Sequence, residues 1–237
     1  MYYEQSEFDI RCEWGLNALT NLSPTCDVVV IVDVLSFSTC VDVAVGRGAI
    51  VYPFQWRDAR AEEFARSVGA IIAGARRGEG YGLSPASLME IAEGVRLVLP
   101  SPNGSTLSLA TGGKPTFAGC LRNAHAVAQA AQRAGRRILV VPAGELWPDG
   151  ALRFAIEDLI GAGAIISRLE GTCSPEAQTA VSAFEAAREE LYDTLAHSSS
   201  GKELIERGFN EDVRLASLLD CSDVAPVLVD GAYQRGV

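Results

Sequence analysis

The stretch Val28-Val29-Val30-Ile31-Val32-Asp33-Val34-Leu35-Ser36-Phe37-Ser38-Thr39 decides how this chain is read. Five consecutive β-branched residues make a strand that is apolar on both faces, and such a strand belongs between two covering layers. A carboxylate closes the run, and Ser36, Ser38 and Thr39 then supply hydroxyls of the kind that open helices. The pattern recurs along the chain. Ile50–Phe54, 95–99 and 138–141 are further short apolar runs, while Ala59–Val68, Ala124–Ala134 and 152–169 carry helical spacing. Alternating strands and helices imply an α/β fold: a three-layer α/β/α sandwich whose largely parallel sheet is flanked by helices, with ligands expected beyond the carboxyl ends of the strands. One domain over residues 1–237 accounts for the pattern, with a helical insertion near 175–208 broken at Ser198-Ser199-Ser200-Gly201. Gly46-Arg47-Gly48-Ala49-Ile50 and Gly161-Ala162-Gly163-Ala164-Ile165 echo one another, as an internal duplication or as two glycine C-caps would.

The chain is 237 residues long, enough for one substantial core, and 48% of it is apolar against 21% charged, which excludes a disordered or coiled-coil protein. Thirty acidic residues against 20 basic ones give a net charge of −10, which repels nucleic acid and anionic membranes. A small anionic substrate would then need a local cation. The N-terminal MYYEQSEFDIRCEWG has neither the basic start nor the apolar core of a signal peptide, so a soluble, cytoplasmic protein is expected. Six cysteines without a CxxC pair read as buried hydrophobes, and two histidines, His125 and His197, leave little for a His-based metal site.

Four strand-end junctions carry the candidate chemistry. In the first, Asp33 sits at the mouth of the sheet, where it could anchor a metal or phosphate beside Ser36, Ser38 and Thr39, or simply start a helix. Leu35 occupies the position where haloacid-dehalogenase phosphatases need a second Asp. The second, Ser101-Pro102-Asn103-Gly104-Ser105-Thr106, allows close backbone approach to an anion but lacks the Gly-Lys-Ser/Thr of a P-loop. In the third, Arg122 opens a helix, unfavourably for the helix dipole unless it faces an anion, and Asn123 can cap that helix. The fourth joins Glu145 to Arg153, Glu157 and Asp158. Adjacent acids in an apolar helix need a partner, either Arg153 four residues earlier or a metal; with Asp33 and Glu145 they could form an oxygen cage for Mg²⁺.

Taken together, these junctions resemble the 2-phosphosulfolactate phosphatase (ComB-like) family. Its pattern runs from a valine-rich strand into D-V-L-R-A-T-T, then T-N-G-T, then L-N-A-x-A-V-A, then A-G-x-E with a downstream F-x-x-E-D-x-x-x-A-G-A-I. Here the counterparts are Asp33 to Thr39, Pro102-Asn103-Gly104-Ser105, Leu121 to Ala128, Ala143-Gly144-x with Glu145 as x, and Phe154 to Ile165; Gly82-Leu83-Ser84-Pro85 and Asp223-Val224-Ala225-Pro226-Val227 also fit. Two positions depart from the pattern: Ser36 stands where it has Arg, and Ala75 where it has Glu.

The resemblance implies a Mg²⁺-dependent phosphatase that converts 2-phosphosulfolactate to 3-sulfolactate, a step of coenzyme M synthesis. Under that reading Asp33, with Glu157 or Asp158, holds the metal, and Glu145 or Asp33 orients or deprotonates water. Arg122, the third catalytic candidate, helps cradle the phosphate, and Ser36, Ser38, Thr39, Asn103, Gly104, Ser105, Asn123 and Arg153 are the further candidate phosphate contacts. Attack by water and a phosphoaspartate on Asp33 both fit. The expected partner is a small anionic phosphorylated substrate, and a homodimer is the common default. The alternatives are a phosphatase of the same family with another hydroxy-acid phosphate substrate, or a non-catalytic binder of such a metabolite. A Rossmann-type nucleotide site is disfavoured, because no G-x-G-x-x-G follows the first strand.

Overall fold

The computed structural model describes residues 2–74 and 80–236, so Ala75 lies outside the described residues. The strands are β1 (Ile10–Cys12), β2 (Val28–Val32), β3 (Ile50–Phe54), β4 (Ile71–Ile72), β5 (Arg96–Pro100), β6 (Thr116–Gly119), β7 (Ile138–Pro142), β8 (Glu145–Leu146), β9 (Leu152–Arg153), β10 (Pro226–Val229) and β11 (Ala232–Arg235). The helices are α1 (Gly15–Leu22), α2 (Phe37–Gly46), α3 (Ala59–Val68), α4 (Pro85–Leu88), α5 (Gly104–Leu109), α6 (Ala124–Ala134), α7 (Ile156–Ile166), α8 (Pro175–Ala187), α9 (Leu191–His197), α10 (Ser199–Glu206) and α11 (Asn210–Ala216).

The sequence Val28–Val32 is buried along its whole length. Val28, Val30 and Val32 pack with α6, α7 and α8, while Val29 and Ile31 pack with α1 and α5, so alternate side chains feed two cores. That arrangement makes the fold a three-layer α/β/α sandwich. Nine strands form one sheet in the order β1-β7-β2-β6-β10-β11-β3-β5-β4. It consists of two parallel blocks, β1-β7-β2-β6 and β3-β5-β4, joined by the antiparallel hairpin β10–β11. Since β6–β10 and β11–β3 are also antiparallel, the second block runs opposite in sense to the first.

Two sequence expectations change in the fold. The helix expected over 152–169 begins only at Ile156, because Leu152 and Arg153 pair with Leu146 and Glu145 in a two-stranded ladder turned at Gly150, whose φ is +84°. Gly161 and Gly163 are not C-caps; they lie inside α7. A Cβ on Gly163 would come 1.9 Å from the Ala180 carbonyl oxygen, and one on Gly161 would come 2.6 Å from Val34, so both glycines let α7 press against α8 and β2.

The 175–208 region is helical as expected, and it continues into α11. Ser198 ends α9 and caps α10, accepting the Gly201 amide at 3.0 Å. Asp212 of α11 accepts hydrogen bonds from the Ser84 hydroxyl and the Ala86 amide at the start of α4, which ties the helical segment to the second block. All six cysteines are free, and four of them are buried. No helix among the described residues is long and apolar enough to cross a membrane.

Candidate active site

Asp33 follows the last residue of β2 and is buried, with both carboxylate oxygens held by backbone amides: Oδ1 accepts from Phe37 N (3.0 Å) and Oδ2 from Gly104 N (2.9 Å). The first bond caps the start of α2. The second joins the β2 and β5 junctions across 71 residues and requires glycine at 104, where a Cβ would lie 2.2 Å from Phe37 Cδ1 and 2.8 Å from Asp33 Oδ2. Burial pushes the Asp33 pKa up to about 6; the two amides pull against that shift, and the Glu157 charge adds to it.

Glu157 and Asp158 open α7 and are both buried. Asp158 bridges two strand ends, accepting Val34 N at 2.7 Å and Gly144 N at 2.9 Å. Its pKa is raised well above the usual carboxylate range by burial and then by the Asp33 and Glu157 charges. Glu157 differs from its neighbour. Only 2% exposed, its carboxylate has no hydrogen bond or ion pair among the described residues, and Arg153 does not reach it. Its oxygens keep some contact with solvent, since the one fully buried side-chain oxygen without a partner among the described residues is Asp42 Oδ1, and they are open to a cation.

Glu145, the first residue of β8, accepts a 2.8 Å hydrogen bond from Asn103 Nδ2. Burial raises its pKa to about 7, reinforced by the Asp33 charge and opposed by Asn103 and Arg153. Arg153 is the ladder partner of Glu145 and donates to the Ser200 hydroxyl at 3.4 Å. Asp33, Ser36, Ser101, Asn103 and Glu145 line a cavity of about 150 Å³ that α10 closes with Ser200, Glu203, Leu204 and its C-cap, Arg207. Three of the four junctions therefore meet in one cleft.

Several expected phosphate contacts face elsewhere. The Ser38 hydroxyl donates to the Ile31 carbonyl, Thr39 to Val34 and Ser105 to Leu99, so these side chains stitch the junctions internally. The third junction does not reach the cleft. Arg122 donates from Nε to Asp42 Oδ2 (2.8 Å) and from an NH group to the Leu215 carbonyl (3.2 Å), and Asn123 secures its own turn through Cys120 N and the Ala118 carbonyl. Arg122 and Asp42 line a separate cavity of about 610 Å³ with Arg47 and His125. Sequence reasoning gave Ser101 a place in the second junction but no role of its own, and it missed Ser200, Glu203 and Arg207. The polar step after β5 marks Ser101, whereas nothing local marks the α10 residues.

The sequence model of the family described as 2-phosphosulpholactate phosphatase matches residues 17–231. The chain belongs to that family. Among its relatives, the 2-phosphosulfolactate phosphatase of Methanothermobacter thermautotrophicus is 33% identical, the match covering 86% of this chain and 88% of the relative. The probable 2-phosphosulfolactate phosphatase of Carboxydothermus hydrogenoformans is 32% identical over 88% and 87% of the two chains, and that of Thermotoga maritima 29% over 88% and 92%. The family match takes in every residue of the acid cleft, including the α10 side, and the Arg122 cavity as well.

No group of three or more His, Cys, Asp or Glu side chains among the described residues forms a closed metal cage. Mg²⁺ does not need one, because it is commonly held by one or two carboxylates with waters and substrate phosphate completing its shell. Asp33 and Asp158 each already accept one backbone amide on either carboxylate oxygen, so a cation there would share their remaining lone pairs, and Glu157 is the acid of the three that fits that donor set without a competing hydrogen bond among the described residues.

Proposed function

We propose that this protein is a Mg²⁺-dependent phosphatase that hydrolyses 2-phosphosulfolactate to 3-sulfolactate and phosphate, the sulfolactate-forming step of coenzyme M-type metabolism. Family membership supports the reaction. The observation that supports the metal is the gathering of Glu157, whose carboxylate has no hydrogen bond among the described residues, with Asp33 and Asp158. Mg²⁺ held by Asp33 and Glu157 would neutralise phosphate charge as the ester bond breaks.

The protein groups around it divide the remaining work. Glu145, with a pKa near 7 and fixed by Asn103, is matched to accept a proton from the attacking water at neutral pH. Both oxygens of Asp33 already accept buried amide bonds, which favours water over Asp33 as the nucleophile. The water oxygen forms the new P–O bond, the ester P–O bond breaks, and the departing hydroxyl recovers the proton from Glu145. A cavity of about 150 Å³, below the roughly 300–1,000 Å³ of drug-sized sites, suits a substrate of a few carbons.

The test is phosphate release from 2-phosphosulfolactate with Mg²⁺, then with EDTA, then with Mg²⁺ restored. Loss and recovery of turnover are expected. Full turnover in chelator removes the metal, and thermal stabilisation by the ester without any phosphate release would make the protein a binder.

A further inference from the structure

Two features of the cleft are left unused by the reaction above: the wall made by α10, and the sign of the charges that line it. On the sheet side the cavity is lined by Asp33 and Glu145, with Glu157 close enough to raise the pKa of both. A phosphate there is served by a divalent cation, but any second acidic group on the substrate meets a carboxylate-rich wall. Arg207 is the only basic side chain lining this cavity among the described residues. It is the C-cap of α10 and pairs with Glu203, which lines the same cavity, at 2.9 Å through side chains that are 55% and 62% exposed. An ion pair that exposed exchanges partners readily.

Ser200 is the second element. It is 5% exposed, lines the same cavity, and its hydroxyl oxygen accepts from Arg153, which leaves the hydroxyl proton available to an acceptor in the cavity. A donor hydroxyl on α10 and a guanidinium at its C-cap, lining the same small cavity as Asp33 and Glu145, form a site for an oxyanion distinct from the phosphate.

We propose that Ser200 and Arg207 form the subsite for the second anionic group of the substrate, so that α10 selects phosphate esters of small acids over neutral phosphate esters. The inference rests on the reading of the cleft as a phosphatase site. Recognition of the sulfonate or carboxylate by α10 keeps that group away from Glu145 and turns the ester bond toward it.

The experiment compares kcat and KM for 2-phosphosulfolactate and for ethyl phosphate, which has no second acid, in wild type, Arg207→Gln, Arg207→Lys and Ser200→Ala. Calorimetric titration of each protein with 3-sulfolactate accompanies the kinetics. Arg207→Gln is expected to lower the ratio of kcat/KM between the two esters roughly 10- to 100-fold, mostly through KM, with partial recovery in Arg207→Lys; Ser200→Ala should lower it several-fold. Equal losses on both esters would mean that Arg207 only supports the fold, and an unchanged ratio would mean that it does not touch the substrate; either result overturns the subsite. If wild type hydrolyses neither ester, the phosphatase reading fails on its own. The subsite is then decided by calorimetry: weaker 3-sulfolactate binding in Arg207→Gln supports it, and equal binding overturns it.

Discussion

The molecule contains two buried clusters of charge at strand-end junctions, and they are built in opposite ways. In the first, Asp33, Glu157 and Asp158 lie together with only backbone amides for partners, and Glu157 lacks even those. In the second, Asp42 meets Arg122, and the pair ties α2 to the β6–α6 turn and, through the Leu215 carbonyl, to α11. Burial pushes the carboxyls upward in both clusters, but only Asp42 has a guanidinium against it. The larger cavity, about 610 Å³, is lined by the neutralised pair, and the smaller one, about 150 Å³, by Asp33 of the first cluster together with Glu145. Cavity size and uncompensated charge point to different places. Uncompensated charge identifies the cleft able to recruit a cation, whereas compensated charge identifies a fastening.

The sharpest way to break that contrast is to neutralise one acid in each cluster. Asp33→Asn should lower kcat by three orders of magnitude or more while the chain still folds, since the amide oxygen can keep one of the two backbone bonds. Phosphate-release kinetics alongside thermal melting check this; near wild-type turnover would remove Asp33 from the site. Arg122→Gln should do the reverse, costing about 3–5 kcal/mol of stability by leaving Asp42 buried without its partner, with kcat changed less than tenfold once the protein is folded. Denaturant titration and kinetics at low temperature measure the two effects, and a thousandfold loss of rate at unchanged stability would move catalysis to the second cavity.

Gly104→Ala tests the join between the β2 and β5 junctions. Its Cβ would press on Phe37 and Asp33 Oδ2, so a stability cost of about 1–3 kcal/mol and a 10- to 100-fold loss of kcat are expected from melting and kinetics.

The smallest effect concerns pH. The folded-state pKa values of Asp33, Asp158 and Glu145 lie above their unfolded values, so the native state binds more protons than the unfolded chain. Stability from these groups is complete below pH ~4 and lost as pH rises through the folded values, reached near 6 for Asp33 and 7 for Glu145. In chelator, the melting temperature should therefore fall by a few degrees between pH 5 and 8, and the rise produced by Mg²⁺ should grow over the same range. A Mg²⁺ effect independent of pH would place the cation away from these acids.

Much of the first cluster was legible in the sequence, because each acid interrupts or adjoins an apolar run. Asp33 directly after Val28–Val32 and the Glu157-Asp158 pair in an apolar helix are signals that need no tertiary information. Arg122 gave a signal of the same strength, yet it faces Asp42. The difference lies in a contact across 80 residues, which no local pattern encodes. The hydroxyls of Ser38, Thr39 and Ser105 misled for the same reason: a serine at a helix start looks alike whether it faces a ligand or a carbonyl. The short β8–β9 ladder was hidden because two-residue strands have too few positions to show a period.

The sequence by itself determined that this chain folds as an α/β/α sandwich, that its acids gather at strand ends, and which family it resembles. Those properties follow from local spacing and burial preference. Only the tertiary structure decided which three junctions meet, that Arg122 is consumed by Asp42, and that α10 brings Ser200 and Arg207 to the cavity lined by Asp33 and Glu145. Each depends on where distant segments cross, and that is set by the packing of the whole core, including the close approach that Gly104, Gly161 and Gly163 permit.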